Sequence, residues 1–185
     1  VGLGRVLQGG RWGFGNAYQW LNEGGAGWVT RGRFCTGADG LILEHWGTIA
    51  AHEGGMVDGI ADIDTSVDTD ASKDLVLEFT KQVLQQGDRD AIDQFVAADL
   101  IQHEPGIAQG RAGLTEWLAG AGSYEMLFHI MGQGDTVVTY GKRHANGADI
   151  AVFDVYRVSG GKIAEHWACA EQIGPRETWG NSGKF

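Results

Sequence analysis

The sequence predicts an α+β fold for residues 70–185, and two patterns indicate it. Apolar residues recur at helical spacing in three segments before residue 122, and four β-type segments separated by turn sequences follow from residue 124. Helices followed by consecutive strands are typical of helices packed on a mainly antiparallel sheet. In such a layout the sheet can curl around the helices and leave a cavity between them.

Three helices are predicted from spacing and end signals. The first is capped by Asp70 or Ser72 and ends at Gly87, the second covers residues 88–100, and the third covers residues 111–121. Their apolar positions are Leu75, Val76, Phe79, Val83, Leu84, Ile92, Phe95, Val96, Leu114, Trp117 and Leu118.

Four strands are predicted at residues 124–131, 136–143, 149–158 and 162–172. Glycine-containing turn sequences separate them, as expected for hairpins that follow one another along the chain. The separators are Gly132-Gln133-Gly134-Asp135, Asn146-Gly147 and Ser159-Gly160-Gly161.

The first 69 residues are organised differently. Residues 1–47 contain 13 of the 31 glycines and show weak periodicity, which indicates poorly specified strands and turns. Residues 48–69 include an acidic stretch with few large apolar side chains and are predicted to be a linker. The chain is long enough for one domain with an appendage.

An internal repeat links these two parts. The segment Gly40–Trp46 recurs 121 positions later as Gly161–Trp167, with five identical residues that include Glu-His-Trp. A weaker echo relates Arg5–Gly10 to His129–Gly134. The repeat predicts that residues 1–47 are the strand half of an incomplete first copy, docked on the complete domain or on another subunit. Chance similarity of two hairpins is the alternative.

Composition excludes several functions. A formal net charge of −10 without a Lys/Arg cluster argues against nucleic acid and anionic lipid as partners. The absence of a long apolar stretch and of a secretory signal predicts a soluble, cytoplasmic protein. Cys35 and Cys169 lack metal-ligand spacing, and no phosphate-binding or dinucleotide motif occurs, so we expect neither a metal nor a cofactor.

Asp154 and His166 are the leading candidates for chemistry. Alternation places Asp154 and Tyr156 on one face of their strand, and His166 between Ala164 and Ala168 on the next. A two-residue turn would set Asp154 opposite Trp167, whereas a three-residue turn would set it opposite His166. Contact would make an acid–base pair, or a buried pair with a structural role only.

Further candidates have weaker support. His103 lies at the end of the second predicted helix, before Pro105, where it is either a surface residue or part of a site. The aromatic side chains that we expect to line a ligand cavity, or else to fill the core, are Trp117, Phe128, Tyr140 and Tyr156.

Residues 70–185 resemble the SnoaL-like polyketide cyclase family of the nuclear-transport-factor-2-like superfamily. The residues that carry the resemblance are Leu75–Phe79, Ile101–Pro105, Gln133–Asp135, Phe153–Val158, Gly161–Trp167, and Pro175-Arg176-Glu177 with Trp179 and Gly183–Phe185. The resemblance implies a homodimer of cone-shaped subunits, each with a pocket that opens at its wide end. It also implies a catalytic acid after the tryptophan of the last hairpin, where this chain has Ala168.

The resemblance implies proton transfer next to a carbonyl group of a small apolar ligand. His166 would be the base, Asp154 its orienting partner, and His103 the donor to the carbonyl oxygen. Ala168 lies where the family acid is expected, as part of the pocket wall. The competing hypotheses are a binding module without catalysis, and an assembly module that dimerises through the half copy.

Overall fold

The computed structural model describes residues 2–9, 12–20, 27–52, 62–104 and 106–185. Gly10, residues 53–61 of the predicted linker, and Pro105 lie outside the described residues. The strands are β1 (Gly2–Gly9), β2 (Trp12–Trp20), β3 (Gly27–Thr36), β4 (Ile42–His52), β5 (Val96–Gln102), β6 (Ser123–Gln133), β7 (Thr136–Ala145), β8 (Ala148–Ser159) and β9 (Lys162–Gln172). The α-helices are α1 (Thr69–Phe79), α2 (Ile92–Phe95) and α3 (Gly110–Gly120).

The first helix forms where its apolar spacing predicts, but its cap lies earlier. The Asp68 carboxylate accepts hydrogen bonds from the backbone N–H groups of Asp70 and Ala71, so Asp68 caps α1 instead of Asp70 or Ser72. The helix continues as a π-helical turn over Thr80–Gln85 and stops before Gly87, whose φ of 76° suits glycine.

The second predicted helix is wrong over its last part. Only Ile92–Phe95 are helical, and the chain then enters β5, which pairs in parallel with β9. Val96 lies opposite Ile163, and both are fully buried. Pairing with a neighbouring strand therefore outweighs the local helical spacing of this segment.

The second half of the chain confirms the predicted α+β class. Its sheet has the strand order β5-β9-β8-β7-β6, in which only the β5–β9 pair is parallel. The sheet is open, because β5 and β6 lie at opposite edges. Its inner face packs on the helices, and the core between them includes Val76, Phe79, Leu114, Leu118, Val152, Tyr156 and Ile163.

The first half forms a second antiparallel sheet with the order β1-β2-β3-β4. It covers the outer face of the five-stranded sheet, where the Phe14 and Phe153 ring centroids lie 5.7 Å apart. Because β4 extends to His52, the predicted boundary at residue 47 is wrong and falls inside a strand.

A buried arginine lies between the two sheets. The Arg33 guanidinium lies 4.1 Å from the Trp46 ring centroid and 5.1 Å from that of Trp12, and its Nη1 donates to His129 Nδ1 at 2.7 Å. Burial lowers the pKa of Arg33, and burial together with the Arg33 charge lowers the pKa of His129. The neutral imidazole of His129 therefore accepts the hydrogen bond.

Within the ranges described above, no helix combines the length and the apolar character needed to cross a membrane.

Candidate functional site

Asp154 and His166 meet on the inner face of the sheet. His166 Nε2 donates to Asp154 Oδ1 at 3.0 Å, and the two side chains are only 4% and 3% exposed. A buried carboxylate needs such a partner, because an unpaired charge is costly away from water. The sequence left open whether the two residues share a face, and the structure brings them together on the inner one.

A bulge in the β8–β9 hairpin sets this contact. Gly160 and Gly161 form a two-residue turn with φ of 57° and 73°, but Ala164 is then an extra residue in β9. Asp154 consequently lies opposite Ala168, and neither register predicted from turn length occurs. Asp154 reaches His166 diagonally, which is within range for neighbouring positions on one face of a sheet.

The bulge also moves one residue between faces. Simple alternation places Ile163 with Glu165 on the outer face, whereas Ile163 is buried against the helices, on the side of His166. A period of two fails at a bulge, because one position has no partner across the ladder.

Gln102 of β5 contacts the other nitrogen of His166. Gln102 Oε1 accepts the Glu104 N–H at 3.0 Å, which identifies Gln102 Nε2 as the donor to His166 Nδ1 at 2.9 Å. His166 Nε2 carries the proton that it donates to Asp154. Gln109 fixes Gln102 in turn, because its side chain bonds both the N–H and the carbonyl of Gln102.

Two tyrosines, Tyr124 and Tyr156, lie close to Asp154. The Tyr156 ring stacks on His166 with centroids 5.1 Å apart. Burial, reinforced by the nearby Asp154 charge, raises the pKa of both Tyr124 and Tyr156 well above its ordinary value. Both phenols stay protonated and are able to donate hydrogen bonds.

A small cavity opens beside Asp154 on this face. Its volume is about 10 Å³, which is room for roughly one water molecule. Asp154 and Tyr124 belong to its wall, whereas His166 lies behind Asp154. The lining residues are Thr80, Leu84, Gln85, Tyr124, Met126, Leu127, Thr139, Gly141, Val152 and Asp154.

Comparison with known proteins places this region in a family. Residues 76–166 match the family described as the SnoaL-like domain. The chain carries a SnoaL-like domain. None of the curated proteins compared with the chain matches it.

Solved structures with this fold are distant in sequence. A putative ketosteroid isomerase from Kribbella flavida DSM 17836 is 12% identical with a TM-score of 0.53, covering 60% of this chain and 84% of that chain. An NTF2-like protein of unknown function from Cytophaga hutchinsonii ATCC 33406 is 20% identical with a TM-score of 0.50, covering 59% and 95%. At these identities the likeness shows the fold alone.

His103 lies on the wrong face of the SnoaL-like sheet to share a site with His166. Its Nε2 bonds Glu165 Oε2 at 2.9 Å, and its ring stacks on Trp167 at 4.2 Å, both on the outer face. Arg157 bonds the same carboxylate. His103 directly follows β5 and lies beside His166 of β9, and the two side chains leave the sheet in opposite directions.

Three of the predicted pocket aromatics also lie away from Asp154. Phe128 stacks on Phe185 at 4.0 Å, and the Tyr140 hydroxyl donates to the Lys184 carbonyl at 2.6 Å, both on the outer side. Trp117 borders the inner core, with the Arg143 guanidinium 5.1 Å from its ring centroid. Tyr156 and Ala168 do lie on the inner face with Asp154.

Sequence patterns missed Gln102, Tyr124 and Thr139. Thr139 lies opposite Asp154 across the β7–β8 ladder and forms a hydrogen bond with Tyr156. All residues from Thr136 to Gly141 of β7 are buried, so the pattern along β7 gave no signal for Thr139. Gln102 lay beyond the end of the second predicted helix, outside every predicted strand, and therefore had no predicted neighbour.

A larger cavity of about 440 Å³ lies between β4 and the C-terminal segment. Its carboxylate, Glu171, already bonds Lys184 and the Ile49 N–H. The lining residues are His45, Trp46, Gly47, Glu171, Gln172, Ile173, Gly174, Thr178, Trp179, Asn181, Gly183 and Lys184. Among the described residues, no group of His, Cys, Asp or Glu side chains is arranged to hold a metal ion.

Proposed function

We propose that the SnoaL-like domain binds a small apolar carbonyl compound between helices and sheet and moves a proton next to the carbonyl group. Isomerisation, cyclisation and dehydration all use this step. One observation carries the proposal: Asp154 is an ionisable group on the cavity wall and lies directly opposite Ala168, the position where the family resemblance implies an acid. Asp154 therefore presents a carboxylate on the inner face from the strand next to that position.

Asp154 is the better base in this geometry, with His166 as its positioning residue. Both ring nitrogens of His166 are engaged, one by Asp154 and one by Gln102, so the imidazole does not reach the cavity directly. The Nε2–H bond fixes one carboxylate oxygen, Oδ1, and orients the group towards the cavity. This reverses the roles implied by the resemblance.

Tyr124 replaces His103 as the proposed donor to the carbonyl oxygen. It shares the cavity wall with Asp154, and its raised pKa keeps the phenol protonated. A neutral donor aimed at a developing enolate oxygen stabilises the charge that forms when the base removes a proton.

Ligand entry requires the cavity to widen, because the space for about one water molecule excludes an organic substrate. Met126 is 47% exposed and also lines the cavity, which makes it the flexible wall residue at the surface. Movement of Met126 would open a route to Asp154.

Exchange of carbon-bound protons tests the proposal without knowledge of the natural substrate. The intact chain is incubated in D₂O with a panel of apolar ketones, and deuterium incorporation next to the carbonyl is followed by NMR. We expect acceleration by the wild type and a loss of about 10²–10⁴-fold in Asp154→Asn, the usual contribution of a general base.

The chain provides a matched control for this experiment. Asp149 bonds His144 at 2.8 Å, also forming an Asp–His pair, but both side chains are close to half exposed. Asp149→Asn should leave exchange unchanged. Equal losses in the two variants, or wild-type acceleration that survives Asp154→Asn, would contradict the assignment.

A binding module without catalysis is the second candidate, favoured by Ala168 and by the closed cavity. A ketone that raises the melting temperature of the wild type without any proton exchange would select this function. Asp154→Asn should then alter affinity alone.

A further inference from the structure

Strands β1–β4 form one four-stranded meander and strands β6–β9 form another. The two meanders share the positions of their β-bulges as well as their strand order. A shift in the β3–β4 ladder leaves Leu43 as an extra residue, and the corresponding shift in β8–β9 leaves Ala164, which lies 121 positions later. The shift in β1–β2 leaves Gly4, and one shift in β6–β7 leaves Phe128, which lies 124 positions later. The two offsets are those of the sequence repeat. Bulges at matching positions indicate that the two meanders have the same backbone arrangement.

The two meanders also pack as two related subunits would. β1 contacts β6, and β4 contacts β9, so these strands lie against their own equivalents. Contacts of β3 with β9 are likewise matched by contacts of β4 with β8. Such reciprocal contacts characterise a two-fold interface between like surfaces.

We propose that residues 2–52 are a second copy of the strand half of the domain, and that its open edge, Ile42–His45, binds an extended partner segment as a parallel strand. This surface is separate from the proposed catalytic site. In the complete copy the equivalent edge, that of β9, is filled by β5 of the same chain. The residues of β5 therefore indicate the chemistry of the partner.

β9 shows what the equivalent edge accepts. On the side away from β8, β5 pairs in parallel with Ile163–His166, and the His103 N–H donates to the His166 carbonyl at 2.9 Å. The offset of 121 places Ile42–His45 at the same positions of β4. Among the strands that the structure describes, β4 pairs with β3 alone.

The rest of the β4 edge is closed by side chains. Lys184 Nζ donates to the Gly47 carbonyl at 2.9 Å, and the Ile49 N–H donates to Glu171 Oε2 at 3.0 Å. Lys184 and Glu171 also pair with each other at 2.7 Å. These bonds occupy backbone groups that an added strand would use. The part left open corresponds to the part of β9 that β5 occupies.

The open part of the edge is apolar. Leu41, Ile42 and Leu43 are 66%, 62% and 59% exposed, so three large apolar side chains in a row face solvent. Exposed apolar patches on sheet edges are typical of binding sites. The partner should be an extended segment with apolar residues where β5 has the buried Val96 and Leu100.

A peptide copied from β5 tests this inference on the intact chain. A fluorescein-labelled peptide with the sequence of residues 96–103 is titrated with the protein, and binding is followed by fluorescence anisotropy. We expect saturable binding that weakens at least about tenfold in Ile42→Lys and in His45→Pro. Proline at position 45 removes an N–H on the free side of the strand and leaves the bonds to β3.

Ile49→Lys is the matched control, because it changes an exposed apolar residue on the closed part of the same edge. It should bind the peptide as the wild type does, and circular dichroism should show that all three variants are folded. No saturable binding would overturn the proposal. Wild-type affinity in both Ile42→Lys and His45→Pro would also overturn it, since the peptide would then bind elsewhere. Dimerisation of the wild type that Ile42→Lys abolishes would identify a second copy as the occupant and also overturn it.

Discussion

The two meanders hold a histidine at matching positions, but the two imidazoles differ in their surroundings. His166 is 3% exposed and bonds both Asp154 and Gln102, whereas His45 is exposed. Gly32 pairs with Gly47 in the first meander as Asp154 pairs with Ala168 in the second. A Cβ on Gly32 would lie 2.5 Å from His45 Nε2 and 2.9 Å from the Trp46 carbonyl oxygen, so a side chain at this position would require its surroundings to shift.

The difference shows what the helices contribute. The same strand course and the same bulge occur in both meanders, so the strands alone do not make a site. The helices exclude water from one face of the second meander, which strengthens the Asp154–His166 interaction and shapes a cavity beside it. The first meander instead contributes its other face, with Phe14 and Arg33, to the interface between the sheets.

The largest expected effect is a difference in unfolding free energy between substitutions of His166 and of His45. His166→Ala leaves the buried Asp154 carboxylate without its hydrogen-bond donor, and an uncompensated buried charge costs about 3–5 kcal/mol of unfolding free energy. His45→Ala should change it by less than about 0.5 kcal/mol, as exposed sites usually do. Urea unfolding of both variants checks this. Equal losses would mean that the two histidines have equivalent surroundings.

The next largest effect is a difference in stability between substitutions on the two faces of the first meander. Phe14 is fully buried between the sheets, and Phe14→Ala should cost about 3 kcal/mol. Phe34, on the opposite face, is only partly buried, so Phe34→Ala should cost less than half as much. Thermal unfolding with a van't Hoff analysis measures both. A larger cost for Phe34→Ala would show that its face is covered.

Acid should loosen the interface between the sheets. The pKa of His129 is lowered from 6.5 in the folded chain, so the unfolded chain binds more protons once the pH falls below about 6.5. Stability should therefore decline from pH 7.5 to pH 5.5, above the range in which most carboxylates titrate. His129→Gln should flatten this part of the profile of melting temperature against pH. An unchanged slope in this variant would assign the decline to other groups.

The smallest effect concerns the side chains that close the β4 edge. Glu171 and Lys184 are 28% and 27% exposed, and pairs of this kind contribute about 0.2–1 kcal/mol. Glu171→Gln should lower unfolding free energy within that range, and its effect should shrink in high salt. A loss above about 2 kcal/mol would show that the pair holds the sheets together, beyond closing an edge.

Regular periodicity made much of the fold predictable. In β8 an unbroken alternation placed Val152, Asp154 and Tyr156 on one face, and in the structure this face packs on the helices. The turn glycines likewise located the hairpins of the second sheet to within a few residues.

The errors arose where distant contacts decide local structure. β5 has helical spacing in sequence and becomes a strand only because β9 offers a parallel edge. The face of His103 follows from that strand, so its predicted role failed with the helix. The exact pairing of Asp154 depended on the Ala164 bulge, which leaves no mark in the residue pattern.

Because of the Ala164 bulge, β9 also has one residue more than its ladder with β8 requires. Arg157 pairs with Glu165 and Val158 with Ile163, so the ladder on both sides of Ala164 is complete without it. A chain shortened by this one residue could form the same pairs, and Asp154 would still face Ala168. Deletion of Ala164 is therefore a length change that evolution or an engineer could make here while the acid and its histidine stay in place.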